Sequence, residues 1–205
     1  MRTSGYIRTI AWTFVISMVV FAGCRGKTPP VKFYTLSTIN QTSEKTPQAE
    51  MSRSVAIGVG PMEIPKALDR PQIVLRVSPN RFEINEFNRW AGSLYDDFLA
   101  VLTENLSVLL KSNLIAAHPW EDFFNPDFRI TLDVHRFDGS LGDHIVLNVT
   151  WTITDGEGRN PLAVHKTIIR EPVMGTDFEA LVAAKSRALA DLSQEIAREI
   201  KKLGS

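Results

Sequence analysis

One cysteine, no apolar run long enough to span a bilayer, and no excess of either charge set the first limits on this 205-residue chain. A lone cysteine leaves no internal disulfide, so the fold must be held by packing alone. The 23 basic residues are balanced by 23 acidic ones, which is no nucleic-acid footprint. Ile10 to Phe21 is apolar but interrupted by Thr13 and Ser17, and it falls short of the roughly 20 residues a spanning helix needs. The four histidines, His118, His135, His144 and His165, are scattered, and no pair has the spacing that puts two imidazoles on one helix face. There is no Gly-x-Ser-x-Gly elbow and no phosphate loop. Gly58-x-Gly60 lacks the third glycine of a dinucleotide fingerprint and reads as close strand packing. The carboxylate pairs Asp96-Asp97 and Glu121-Asp122 read as solvated faces rather than acid/base dyads. No catalytic residue, cofactor or metal is therefore expected, and the chain reads as a binding protein rather than an enzyme.

What is present begins at the cysteine. Arg2 and Arg8 precede the apolar stretch, nothing acidic occurs before Cys24, and the stretch ends in Phe21-Ala22-Gly23-Cys24. This is the layout of a secretory signal, and the four residues resemble the bacterial lipobox, in which small residues admit the peptidase and the thiol carries a diacylglycerol. Residues 1–23 are expected to be removed as a signal peptide, with Cys24 lipidated as the first mature residue. Arg25 stands where an aspartate would resemble an inner-membrane retention signal, which favours outer-membrane delivery, on the periplasmic face. Residues 24–30 form a polar tether reaching only about 25 Å when extended, too short to cross the periplasm unaided. With the leader's two arginines gone the mature chain is slightly acidic, and residues 31–205 suffice for one domain with one core.

Along that domain the apolar period changes several times. Val31 to Leu36 reads as a strand, and Ser37 to Ser54 as a polar mobile loop. Val55, Ile57 and Val59 alternate with small residues in a strand ended by Pro61 and Pro65. Gln72–Val77 and Arg81–Asn85 flank Ser78-Pro79-Asn80 as a hairpin. From Trp90 to about Ser112 apolar residues recur at three- and four-residue steps, which predicts a core-facing helix. Ile115 starts a short strand, and alternation marks three longer ones over Phe128–His135, Ile145–Ile153 and Leu162–Arg170. Thr176 or Asp177 caps a final helix whose stripe is Phe178, Leu181, Leu189, Leu192, Ile196, Ile200 and Leu203, with Lys201-Lys202 favourable at its C-terminus. The fold class expected is an α/β (α+β) sandwich, with a central mostly antiparallel sheet packed against two long helices.

Asp69-Arg70-Pro71-Gln72-Ile73-Val74-Leu75-Arg76 and Asn85-Glu86-Phe87-Asn88-Arg89-Trp90-Ala91, followed by Asp97-Phe98-Leu99, Glu104-Asn105-Leu106 and Pro119-Trp120, resemble the PqiC family. These are auxiliary lipoproteins of ABC-type and mammalian-cell-entry (MCE) transport systems. The resemblance covers essentially the whole mature chain and departs at Gly92-Ser93, where the family usually has Glu-Pro, a departure that bears on where the helix starts. It implies an outer-membrane lipoprotein that works with an inner-membrane component and a periplasm-spanning MCE tunnel protein in moving lipids and maintaining envelope integrity. It also implies a homo-oligomeric ring. Asp69, Arg70, Gln72, Arg76, Arg89 and Trp90 then have two readings: a contact surface for subunits or the tunnel partner, or structural support, with Arg70 or Arg76 paired to Asp69 or Glu86 and Trp90 in the core. The competing functional class is an envelope scaffold or regulator of a cell-wall machine.

Overall fold

The structure, a computed structural model, describes residues 29–39 and 55–204. The expected signal peptide, Cys24, most of the tether and residues 40–54 of the expected loop lie outside the described residues.

Eight strands and two helices follow in the order β1 (Lys32–Tyr34), β2 (Ile57–Glu63), β3 (Gln72–Ser78), β4 (Arg81–Trp90), α1 (Leu94–Leu110), β5 (Ile115–Ala117), β6 (Phe128–Gly139), β7 (His144–Asp155), β8 (Pro161–Pro172) and α2 (Phe178–Leu203). The expected α+β class with two long helices is what forms, but the strands divide between two sheets. One has the order β5-β2-β6-β7-β8 and the other β1-β4-β3. The meander β6-β7-β8 and the hairpin β3-β4 are antiparallel, whereas β2 pairs in parallel with both β5 and β6, and β1 in parallel with β4. The antiparallel pairs are joined by short turns in sequence, which is why their pairing is local. The parallel ones need crossovers: the β3-β4 hairpin and α1 lie between β2 and β5, with β5 and its following loop added before β6, and β2 and β3 lie between β1 and β4.

The core lies between the large sheet and the helices. Ile130, Leu132 and Val134 of β6 and Ile145, Leu147, Val149 and Ile153 of β7 are buried against the stripe of α2 from Leu181 to Ile200. Phe98 of α1 meets Phe137 of β6 edge to face, with ring centroids 5.3 Å apart, a geometry the ring quadrupoles favour. The segment after β1 crosses both helices. Asp97 accepts from the Thr35 hydroxyl and the Leu36 N–H, Ser186 from the Ser37 N–H, and Asn105 from the Ile39 N–H, all at 2.7–3.0 Å. Asp97 is thus half of a solvated-looking pair put to work holding one hydroxyl and one backbone N–H, and Ser37 and Ile39 are hydrogen-bonded to the helices.

Several boundaries differ from expectation. Trp90 is the last residue of β4, paired with Tyr34, and α1 begins only at Leu94 because Ser93 caps it, its hydroxyl accepting from the Asp96 N–H at 3.3 Å. The three-and-four spacing extended the helix pattern backwards through a strand end and a turn; the cap chemistry of Gly92-Ser93 is what separates them. β2 does not stop at Pro61. It continues to Glu63 through a register shift between Val59 and Met62 against β6, and a proline, which has no N–H to donate, is tolerated at such a bulge. Both ends of α2 follow the expectation, with Asp177 as N-terminal cap, its side chain accepting from the Ala180 N–H at 2.8 Å, and Lys201 and Lys202 in the last turn.

Candidate docking surface and the charged cluster beneath it

The six residues singled out at 69–90 lie on or beside the small sheet, and the structure sorts them into an outer and an inner group. In the outer group, Gln72 and Phe33 flank Arg89 across the sheet. Arg89 donates from Nε to the Glu86 carbonyl at 3.0 Å and from Nη2 to Glu86 Oε2 at 3.1 Å. Gln72 Nε2 reaches the same carboxylate oxygen at 3.2 Å, and Arg70 Nε donates to Gln72 Oε1 at 3.3 Å. Asp69 is exposed in the loop before β3, where its N–H donates to the Pro65 carbonyl. This Arg70–Gln72–Glu86–Arg89 ladder borders Phe33, which is 65% exposed, and shares its strand with the exposed Phe82, Ile84 and Phe87. Glu86 is the expected partner for an arginine here, but its arginine is Arg89. At this level of exposure such pairs contribute little stability, and what the ladder does is orient its side chains.

The inner group holds the sheets together. Trp90 is 4% exposed. Arg76 makes a two-pronged pair with Asp138 of β6, Nε to Oδ1 at 2.7 Å and Nη2 to Oδ2 at 2.9 Å, and lies over the Phe82 ring at 4.3 Å. Its partner is therefore neither Asp69 nor Glu86, and it joins the small sheet to the large one. Arg136 adds a contact to Asp138 at 2.8 Å, and the Ser140 hydroxyl donates to the Arg76 carbonyl. Burial pushes the Asp138 carboxyl up, but the hydrogen bonds and charges of Arg76 and Arg136 outweigh it and hold the group below the usual range.

Behind Asp138 sits a residue that the helical period passes over. Lys185 of α2 is 1% exposed, donates from Nζ to the Phe137 carbonyl, and stands 4.1 Å and 5.7 Å from the Phe137 and Trp90 ring centroids. Desolvation, only partly opposed by the Asp138 charge, lowers its pKa to about 7. The signal was in the sequence: Lys185 falls four residues after Leu181 and four before Leu189, inside the apolar stripe. Asp138 was missed because the alternation that marks β6 breaks at a bulge between Val134 and Arg136, so the strand read as ending early.

Described tryptophans and histidines make packing and hydrogen-bond contacts of their own. Trp151 Nε1 donates to Thr167 Oγ1 at 3.0 Å and its ring stacks on His165 at 4.5 Å. His135 shares a 2.9 Å hydrogen bond with Thr150. Gly58 is closely packed as expected, though against a ring rather than a strand: a Cβ there would meet the Trp120 indole at 2.7 Å. Among the described residues no group of His, Cys, Asp and Glu is arranged to hold a metal, and no described helix is long and apolar enough to cross a membrane.

A family model described as ABC-type transport auxiliary lipoprotein component matches residues 34–197. Among solved structures, an uncharacterized protein is 20% identical with a TM-score of 0.66, over 84% of this chain and 99% of that one. A protein from Xanthomonas campestris is 18% identical with a TM-score of 0.65, over 82% of this chain and 93% of its own. At these identities the likeness is one of fold. No curated protein gives a match.

Proposed function

Since the chain belongs to the PqiC-like family of ABC-type transport auxiliary lipoproteins, we propose that it serves such a transporter as a non-catalytic docking subunit. Lipidated Cys24 holds it on the periplasmic face of the outer membrane, where it receives a periplasm-spanning MCE-type protein whose partner is in the inner membrane, and so supports lipid movement and envelope integrity. The observation that carries this reading is the outer face of the small sheet. An aromatic at 65% exposure, Phe33, sits beside an arginine oriented by its neighbours, Arg89, above a fixed inner layer of Arg76, Asp138 and Trp90. Aromatic and arginine side chains held in place and ringed by polar groups are what binding hot spots are made of. The contact residues are then Asp69, Arg70, Gln72 and Arg89, with Arg76 and Trp90 as their support.

A mild-detergent pull-down of the full-length protein from its own envelope, with mass spectrometry of what is bound, tests this. Unaltered protein should bring down an MCE protein and its membrane partner. Arg89→Ala and Phe33→Ala should lose them while unfolding within about 0.5 kcal/mol of the parent, as surface substitutions do. Recovery of a cell-wall synthase in place of any MCE component would instead make the protein a regulator of that machine.

Self-association belongs on a different side. β8 ends the large sheet, and Leu162, Val164 and Ile168 on it are 44%, 62% and 57% exposed. A long apolar edge strand invites pairing unless covered, and a second copy covers it in a ring. Val164→Lys with Ile168→Lys should lower the molar mass measured by light scattering toward that of one chain; an unchanged mass places the contact elsewhere.

A further inference from the structure

The open face of the large sheet, away from the helices, carries a cavity of about 400 Å³ beside the end of β5. The loop after β5 returns across this face, and because Gly58 has no side chain the Trp120 indole lies against β2 and forms one wall. His118 meets Trp120 edge-on at 5.4 Å and extends that wall. Arg129, Thr131 and Thr154 contribute from β6 and β7, and Gly158 closes the opposite side.

The chemistry of this lining has one sign. No lining residue is acidic. Arg129 donates from Nε to the Gly156 carbonyl at 2.7 Å, its guanidinium lies 5.6 Å from the Trp120 ring centroid, and it forms no salt bridge among the described residues. Its Nε is thus committed to holding the group in place, while Nη1 and Nη2 remain for an acceptor. A guanidinium so fixed matches a carboxylate or phosphate, and the Thr131 hydroxyl adds a donor of the right kind, whereas that of Thr154 is given to the Asp155 carbonyl at 3.1 Å.

We propose that this cavity binds a glutamate or aspartate side chain of an extended segment from a protein partner, with its carboxylate on Arg129 and a neighbouring apolar residue against Trp120. Three features favour a polypeptide. The volume holds a side chain or two, and its walls pair an apolar side, Trp120 with Pro61 and Pro119, with the Arg129 guanidinium, whose charge an acyl chain would bury without a partner. β5 borders the sheet with no strand on its outer side among the described residues, so a segment entering the cavity can continue along that edge by main-chain pairing. Phe123, 82% exposed in the same loop, offers a flanking apolar contact.

The test uses the full-length protein in mild detergent and a fluorescein-labelled blocked peptide with one glutamate between two leucines, alongside its glutamine twin. By fluorescence anisotropy the glutamate peptide should bind saturably and at least tenfold more tightly than the twin, and Thr131→Val and Arg129→Gln should each weaken it, the latter by tenfold or more. Because Arg129 also supports the turn at Gly156, the comparison of twins on unaltered protein stands even if Arg129→Gln fails to fold. Equal binding of the twins overturns the proposal. So does displacement of the peptide by millimolar inorganic phosphate, or by phosphatidylglycerol vesicles, at equal strength, which would make the cavity a phosphate or headgroup reader. Arg89→Ala should leave peptide binding unchanged, so failure here is separable from failure of the small-sheet surface.

Discussion

Asp138→Asn should lower the unfolding free energy by about 3–5 kcal/mol, the cost of removing one partner from a buried ion pair. The side chain is 2% exposed, and it is the shared anion of Arg76, at 23%, and Arg136, at 36%. Asparagine keeps the shape but removes the charge, leaving the Arg76 and Arg136 guanidinium groups with no counter-ion and Lys185 without the charge that opposes its desolvation. In a domain of this size each kcal/mol moves Tm by about 2–4 °C, so calorimetry at neutral pH should show a fall on the order of 10 °C. A fall of less than about 2 °C would mean that the two sheets are held by apolar contact alone. The acid limb should change as well. A carboxyl whose folded pKa is depressed contributes stability that is present above its unfolded pKa and lost as pH falls through the folded one, so the variant should show a weaker dependence at low pH than the parent.

The opposite sign is expected at Lys185. Its pKa of about 7 in the folded protein lies below the ordinary value of about 10.4. Between these limits the unfolded chain holds more protons than the folded one, so stability rises with pH through that window and is lost as pH falls through 7. The full effect of one such group is on the order of 4 kcal/mol. Lys185→Met keeps the length and the apolar stem, removes the charge, and should flatten this dependence. At pH 6 the variant should unfold at higher temperature than the parent, since replacing a buried charge by an apolar side chain is often stabilising. Near pH 9.5 the parent should be equal or better, because its neutral amine still donates to the Phe137 carbonyl, which methionine leaves unpaired. Parallel Tm curves from pH 6 to 9.5 would show that the ammonium is solvated in the native state and that its burial does not bear on stability.

Several elements were legible because their signals are local. The stripe from Phe178 to Leu203 repeats every three or four residues, and the inward positions of β6, β7 and β8 repeat every two. Ser78-Pro79-Asn80 announces a hairpin with its own turn. The arginines and glutamine between Arg70 and Arg89 stood out as a group, and four residues, Arg70, Gln72, Glu86 and Arg89, do form one hydrogen-bonded ladder. Where the pattern misled, a neighbouring element shared it. Trp90 fits the helical spacing of α1 while belonging to β4, and only the Ser93 cap distinguishes the two.

The amino-acid sequence by itself determined the strands and helices, the balanced charge, the disulfide-free core and the family, since each depends on which residues stand near one another along the chain. Tertiary structure alone decided that there are two sheets rather than one, that β2 runs parallel to β6, that Arg76 finds Asp138 rather than Glu86, that Lys185 is buried, and that Trp120 and Arg129 enclose a cavity. The reason is separation. Arg76 and Asp138 are 62 residues apart, and Lys185 and Phe137 are 48. No local period constrains such pairs; their partners are chosen by how the layers stack, and the cost of burying a charge without a counter-ion then fixes which pairs survive.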